Sequence, residues 1–265
     1  VYYNSFPSNQ IEKWMDVYVE RFRNPVFRLF QSELETVYEE KNMYSDSPVS
    51  AFSEMMYKEC FGEHPYGRPI VGLTEHLKNP QTSKMREFFN TYYVANNMTL
   101  ILVGDFDTEE IKPMVEDKFG VWRSGELPEK VEYELPTFDK EIVKEVRMTP
   151  IKMGTIIYKG INQSHEDNIA LEFMSGMLSN GSTGIIDKAM LNNELMMAVM
   201  SPLSLEDHGA VMFLYMPKFI GQSHEEAESI IFDALAKIQN GDFSDDLFEA
   251  VKTETLKHSV QRLEG

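Results

Sequence analysis

The first half of the chain combines two strand patterns with several amphipathic helices. Apolar side chains between Ile11 and Phe22 recur every three or four residues, which predicts a helix that ends near Pro25. Val1–Phe6 and the apolar run Met98–Phe106 predict strands, the second of them buried. The same helical spacing predicts further helices over about 27–44, 49–60, 83–93 and, after the capping residue Asp107, about 108–119.

A polar, proline-bearing stretch over 123–138 has no helical period and predicts a linker. Beyond it, the strand and helix patterns follow the order ββααββαα. The predicted strands cover about 140–148, 152–160, 197–203 and 210–216, and the predicted helices cover about 166–178, 185–194, 225–238 and 245–263.

The strand–helix–helix order that opens the chain returns at the end of the second part. We interpret each part as one copy of the same unit, with the first copy lacking its beginning and the second lacking its end. The predicted organisation is the C-terminal part of a first unit over 1–122, a linker over 123–138 and the N-terminal part of a second unit over 139–265. The predicted fold class is α+β, with helices covering one face of each antiparallel-dominated sheet.

Charge and composition exclude several classes of partner and structure. The 265 residues include 43 acidic and 25 basic side chains, which give a formal net charge of −18. Because phosphate backbones require a surplus of Lys and Arg, we expect no nucleic-acid partner. No apolar run approaches the length of a membrane span, and the single cysteine, Cys60, can form no internal disulfide.

Two glutamates, Glu33 and Glu40, stand seven residues apart on the helix predicted over 27–44. This spacing leaves them about 20° apart around the helix and roughly 10 Å apart along its axis. One metal ion cannot easily bind both, because metal–carboxylate bonds are about 2 Å long. If a metal is involved, one glutamate is the ligand and the other supports it. The alternative is a solvated face, which is the usual role of a glutamate-rich helix surface.

Two longer segments resemble the M16 zinc peptidases, the family of insulinase, pitrilysin and the mitochondrial processing peptidases. They are FGEHPYGRPIVGLTEHL and FFNTYYVANNMTLILVGDFDTEEIKPMVEDKFGVW. The matching elements are H-P-Y-G-R-x-x-x-G, a helix, Y-x-x-x-N-M-x-L-x-x-V-G-D and a closing F-x-x-W. The resemblance is strong over 1–122 and rests mainly on element order over 141–265. It implies two M16-type (LuxS/MPP-like) units, both incomplete in this chain.

The resemblance also implies roles for the two glutamates. In the M16 family a His-x-x-Glu-His motif supplies two zinc ligands and the general base, and a downstream glutamate, seven residues after another important one, is the third ligand. These positions fall on Glu40 as the zinc ligand and Glu33 as its supporting partner. No His-x-x-Glu-His occurs in this sequence, and we expect it in the part of the first unit that the chain lacks. His64 is interpreted as a turn residue of the HPYG stretch.

A second family feature is absent. Active M16 enzymes carry an Arg and a Tyr, seven residues apart, on a substrate-facing segment of a later unit. In the matching segment LNNELMMAVMS these positions hold Asn192 and Val199. Either the pair belongs to a last unit outside this sequence, or the protein is a non-catalytic relative; the Glu33/Glu40 pair favours the first explanation.

The expected function is that of a Zn²⁺-dependent endopeptidase acting on peptides, with its site completed by further M16 units of the same protein or by a partner subunit. The chain alone is expected to be inactive, because it offers one convincing zinc ligand where a catalytic zinc needs three. The alternative is a non-catalytic M16-like structural or partner subunit. The compartment stays open, and a Gram-negative source would favour the periplasm.

Overall fold

The computed structural model describes residues 1–138, 141–145 and 150–264. Its contacts divide the chain into two compact units. The first unit comprises Val1–Ser47 and Pro69–Tyr133, and the second comprises Pro48–Arg68 and the chain from Glu134 onward.

The first unit is helical. Its helices are α1 (Ile11–Arg23), α2 (Phe30–Asp46), α4 (Thr74–Lys78), α5 (Thr82–Tyr92) and α6 (Thr108–Phe119), with 3-10 turns at Ser8–Gln10 and Ala95–Asn97. Helix α1 packs on α6, where Met15 and Ile111 are buried, and α2 packs on α4. Asp107 caps α6 as predicted, because its side chain accepts a hydrogen bond from the Glu109 N–H.

The two strands predicted in this unit are wrong for the residues described. Val1–Phe6 and Met98–Phe106 belong to no sheet. A strand needs a neighbouring chain to accept and donate its backbone hydrogen bonds, and the first unit as described offers none. The apolar side chains of the second segment are consequently left in solvent, with Ile101 77 % and Val103 92 % exposed.

The second unit is built on a small antiparallel sheet. Its strands are β1 (Gly154–Lys159), β2 (Met197–Ser204) and β3 (Gly209–Met216), in the order β1-β3-β2, and its helices are α3 (Pro48–Phe61), α7 (Asn168–Leu178), α8 (Ile185–Leu191), α9 (His224–Gln239) and α10 (Asp245–Glu264). The central strand β3 supplies Phe213 and Tyr215 to a core that they share with Leu178, Ile186 and Ile231. The mixed architecture agrees with the predicted α+β class.

The boundaries of the two compact units differ in one place from the predicted domain boundaries. The division between Tyr133 and Glu134 falls inside the predicted linker, but Pro48–Arg68 belongs to the second unit. The physical reason is that Phe61 and Cys60 join Ala210 in one apolar cluster. The strand predicted over 140–148 lies partly outside the described residues, and its described portion, 141–145, is not in a strand. That each unit is a cut M16-type copy stays a prediction.

Candidate functional site

Glu33 and Glu40 both lie on α2, as the periodicity of the sequence predicts. Both side chains are exposed, and the helical geometry places them about 20° apart around the axis and roughly 10 Å apart along it. Neither carboxylate forms a hydrogen bond or an ion pair with any residue that the structure describes. Both oxygens of each side chain therefore remain available to a ligand from outside.

The face that carries the two glutamates is distinct from the face by which α2 is anchored. Lys41, one position after Glu40 and about 100° further around the helix, is buried. Helix α2 begins after Leu29, which adopts the left-handed conformation (φ 55°, ψ 25°) that bulky residues rarely take. The Glu33 N–H donates to the Leu29 carbonyl, so this strained residue sets the start of the helix. Nothing in the sequence signals that Leu29 takes this conformation.

The residues present do not by themselves fit a zinc ion. Structural and catalytic zinc sites use three or four protein ligands within about 2.3 Å of the metal. No group of three or more His, Cys, Asp or Glu side chains that could hold a metal occurs among the described residues. Glu40 offers one carboxylate, so further ligands would have to come from outside the part of the chain that the structure describes.

His64 is a buried residue at the start of the HPYG turn. It is 4 % exposed, and its Nδ1 accepts a hydrogen bond from the Tyr66 N–H at 3.1 Å. Its Nε2 lies 3.7 Å from the Asp207 carboxylate. The Tyr66 hydroxyl in turn accepts a hydrogen bond from the Asp207 N–H at 3.3 Å. The HPYG turn is thereby fastened to the loop between β2 and β3, and the interpretation of His64 as a turn residue is confirmed.

Asn192 and Val199 occupy the positions at which the family's Arg and Tyr are expected. Asn192 ends α8, and its side-chain amide donates to the Glu194 carboxylate at 3.3 Å. Val199 lies on β2 opposite Leu214 of β3. Neither side chain carries a charge or a hydroxyl, so this segment provides no cation or phenol to a substrate.

Sequence analysis missed two buried polar centres of the second unit. Asp187 is buried, and its Oδ2 accepts hydrogen bonds from the backbone N–H groups of Asn180, Ser182 and Gly184 at 2.9–3.0 Å. The buried Tyr215 hydroxyl donates to Glu228 and lies 3.1 Å from the His224 Nδ1. Burial, followed by the hydrogen bond to Glu228, raises the pKa of Tyr215 well above its ordinary value. Both centres join separate segments of the second unit through buried hydrogen bonds.

Comparison with known proteins identifies the family. A family model described as the peptidase M16 inactive domain matches residues 81–255. The chain belongs to the M16 peptidase family. Among curated relatives, the uncharacterized zinc protease YmxG of Bacillus subtilis is 22 % identical over 254 residues, which are 95 % of this chain and 59 % of the relative. The zinc protease PqqE of Helicobacter pylori is also 22 % identical, over 89 % of this chain and 54 % of its own length.

Solved structures share the M16 fold with this chain. A protease from Helicobacter pylori has a TM-score of 0.83 at 17 % identity, over 98 % of this chain and 65 % of that one. A putative M16-like peptidase from Alicyclobacillus acidocaldarius has a TM-score of 0.75 at 16 % identity, over 99 % of this chain and 66 % of that one. The chain thus spans 54–66 % of the length of these four proteins. No helix in the described part of the chain is long and apolar enough to cross a membrane.

Proposed function

We propose that this M16 chain contributes one wall of a zinc peptidase site, with Glu40 as a zinc ligand and Glu33 as its supporting residue. The observation that carries the proposal is that both carboxylates are exposed on one face of α2 and are free of partners among the described residues. Membership of the M16 family and relatives named zinc proteases support it.

The spacing of Glu33 and Glu40 along α2 implies different roles for the two glutamates. A separation of roughly 10 Å along the helix lets only one of them reach a given metal ion directly. A zinc ion held there would act as a Lewis acid toward a peptide carbonyl and would make bound water more acidic. Glu40 would hold the metal through a carboxylate oxygen, and Glu33 would orient groups around the site. The histidine ligands would come from another part of the protein or from a partner subunit, and the substrate class is a peptide.

One observation favours a second function, that of a non-catalytic M16 subunit. Asn192 and Val199 replace the family's Arg and Tyr, and the family model that matches the chain is described as an inactive domain. In that case the exposed face of α2 is a solvated surface or contacts another subunit, and Glu33 and Glu40 take no part in metal binding.

The experiment compares Glu40→Gln and Glu33→Gln in the complete protein, together with whatever unit or subunit supplies the histidine ligands. We expect Glu40→Gln to lose bound zinc, because the amide is a much weaker ligand than the carboxylate. We expect Glu33→Gln to retain zinc and to lose about 10–100-fold in peptide hydrolysis. Zinc content is measured by elemental analysis of the purified protein, and hydrolysis with a fluorogenic peptide.

Glu35→Gln is the matched control, because Glu35 is also an exposed glutamate of α2 but lies about 200° around the helix from Glu33. It should keep both zinc and activity. Unchanged zinc content and activity in all three variants would favour the non-catalytic subunit. Equal and complete zinc loss from both the Glu33 and the Glu40 variants would show that the assignment of Glu40 as ligand and Glu33 as supporting residue is wrong.

A further inference from the structure

An aromatic groove of about 790 Å³ lies within the first unit. It runs between the C-terminal end of α1, the segment Pro25–Phe27 that follows it, and the length of α5. Its volume falls within the range of about 300–1,000 Å³ that is typical of ligand pockets. It shares no lining residue with the glutamate-bearing face of α2, so the proposed peptidase site does not account for it.

Stacked rings form the floor of the aromatic groove. Phe89 and Tyr93 stack with centroids 4.4 Å apart, and Tyr93 continues onto Phe22 at 6.1 Å. At the rim, Phe88 is 58 % exposed and Val26 is 67 % exposed. Rings stacked on one another hold their positions, so an incoming apolar side chain meets a prepared surface and loses little free energy in ordering it.

The charges around the aromatic groove have the opposite sign to those of the chain as a whole. Arg21 and Lys84 line it together with His76, whose Nε2 lies 3.9 Å from the Glu75 carboxylate, and none of the lining residues is acidic, although acids outnumber bases 43 to 25 in the sequence. Arg21 and Lys84 form no ion pair with any described residue. The guanidinium of Arg21 is held 5.1 Å from the ring centroid of Tyr2, which keeps it beside the apolar floor.

Amide side chains complete the lining. Asn79 and Gln81 are exposed at the groove, and their side chains make no hydrogen bond within the described part of the chain. An amide can both donate to and accept from a peptide backbone. A peptide backbone can pair with these amides, whereas a fatty acid uses only the cations and the rings, so the lining favours a peptide over a lipid.

We propose that the aromatic groove binds an acidic peptide segment that carries aromatic or large apolar side chains. Its carboxylates meet Arg21 and Lys84, its apolar side chains lie on the rings of Phe22, Phe89 and Tyr93, and its backbone contacts the amides of Asn79 and Gln81. The inference concerns binding by this chain and does not depend on zinc or on catalysis. It can therefore fail while the proposed peptidase function stands, and the reverse also holds.

The test measures binding of fluorescein-labelled peptides to the full chain by fluorescence anisotropy. The probe is Glu-Phe-Glu-Leu-Glu-Phe-Glu, and its matched controls replace every Glu by Gln or by Lys. We expect the acidic probe to bind about tenfold more tightly than the Gln peptide, the Lys peptide to bind weakest, and the preference to shrink between about 20 mM and about 500 mM NaCl. Equal binding of the three peptides, or a preference that salt does not reduce, would overturn the proposal.

Variants of the chain test whether the peptides bind in the aromatic groove. The double variant Arg21→Gln/Lys84→Gln should weaken binding of the acidic probe about five- to tenfold, and Phe88→Ala should weaken binding of all three peptides. Lys13→Gln/Lys78→Gln removes two exposed charges of α1 and α4 that do not line the aromatic groove, and should change nothing. Circular dichroism checks that each variant folds. Equal effects of the two double variants, or binding of laurate at the groove without binding of the acidic probe, would contradict a peptide site.

Discussion

Gly154 and Tyr215 are direct partners across the β1–β3 ladder, and the phenol ring of Tyr215 fills the space that a side chain at position 154 would occupy. Tyr215 is thereby buried, with its hydroxyl directed toward Glu228 and His224 of α9. The space left by the lack of a side chain at Gly154 therefore admits the Tyr215 ring, and the Tyr215 hydroxyl connects the sheet to α9.

We expect Gly154→Ala to lower the free energy of unfolding by about 1–3 kcal/mol, because the added methyl group overlaps the Tyr215 ring and forces it to move. Strand propensity and chain entropy alone predict the opposite sign, since Gly→Ala in a strand usually stabilises. Urea denaturation followed by circular dichroism distinguishes the two. Ser201→Ala, at an exposed position of β2, is the control and should change little. A variant as stable as the wild type would show that the ring moves at no cost.

Tyr215→Phe should make stability less sensitive to alkaline pH. Burial and the bond to Glu228 raise the pKa of Tyr215 in the folded protein, whereas in the unfolded chain it titrates near 10.0. The protonated phenol thus favours the folded state fully below pH 10, and this contribution is lost as the pH rises above 10, by up to about 1.4 kcal/mol per pH unit. Urea denaturation at pH 9 to 11, in about half-unit steps, should show a steeper decline for the wild type than for Tyr215→Phe. The exposed Tyr44→Phe should follow the wild type; parallel curves for all three proteins would refute the linkage.

Cys60 should be almost unreactive in the folded protein. Burial, followed by the charge of Glu59, raises the pKa of its thiol to about 11, so at pH 8 the thiolate is on the order of a thousandth of the total. We expect Ellman's reagent to react at least about 100-fold more slowly with the native chain than with the urea-unfolded chain. The control is Cys60→Ser/Ser124→Cys, which moves the single thiol to an exposed position and should react at once. Rapid labelling of native Cys60 would mean that the α3 region opens readily.

His64→Ala should destabilise the second unit, whereas His76→Ala should not. His64 is buried and accepts the Tyr66 N–H, so its removal leaves that donor unsatisfied and creates a cavity, at a cost of about 1–3 kcal/mol. His76 is exposed on α4 and is the matched control. Urea denaturation measures both, and zinc content should be the same in both variants. Loss of zinc from His64→Ala without loss of stability would give His64 the ligand role that its burial argues against.

Most helices could be predicted because their information is local. The apolar spacing that predicts helices near 49–60 and 83–93 is matched by α3 at Pro48–Phe61 and α5 at Thr82–Tyr92. The five-residue helix α4 was missed, since it is too short to show a period. The strand prediction at Met98–Phe106 failed because strands depend on contacts that are distant in the sequence. A strand requires a partner strand from any part of the protein, and the apolar run indicates only that the segment suits a sheet.

The residues of the candidate site could likewise be predicted only where the information is local in the sequence. The seven-residue spacing of Glu33 and Glu40 could be converted into one helix face, because both residues lie on a single helix. The contact of His64 with Asp207, and that of Tyr215 with Glu228, join residues on different elements. No periodic pattern encodes such contacts, so only the fold reveals which polar residues it buries together.

The exposed segment Met98–Phe106 has a consequence for the behaviour of the chain in solution. Apolar side chains such as Ile101 and Val103, exposed on a backbone without strand partners, are the feature by which incompletely folded proteins attract chaperones and aggregate. A solution of this chain is therefore expected to self-associate through Met98–Phe106 as its concentration rises, although its second unit has a well-packed core.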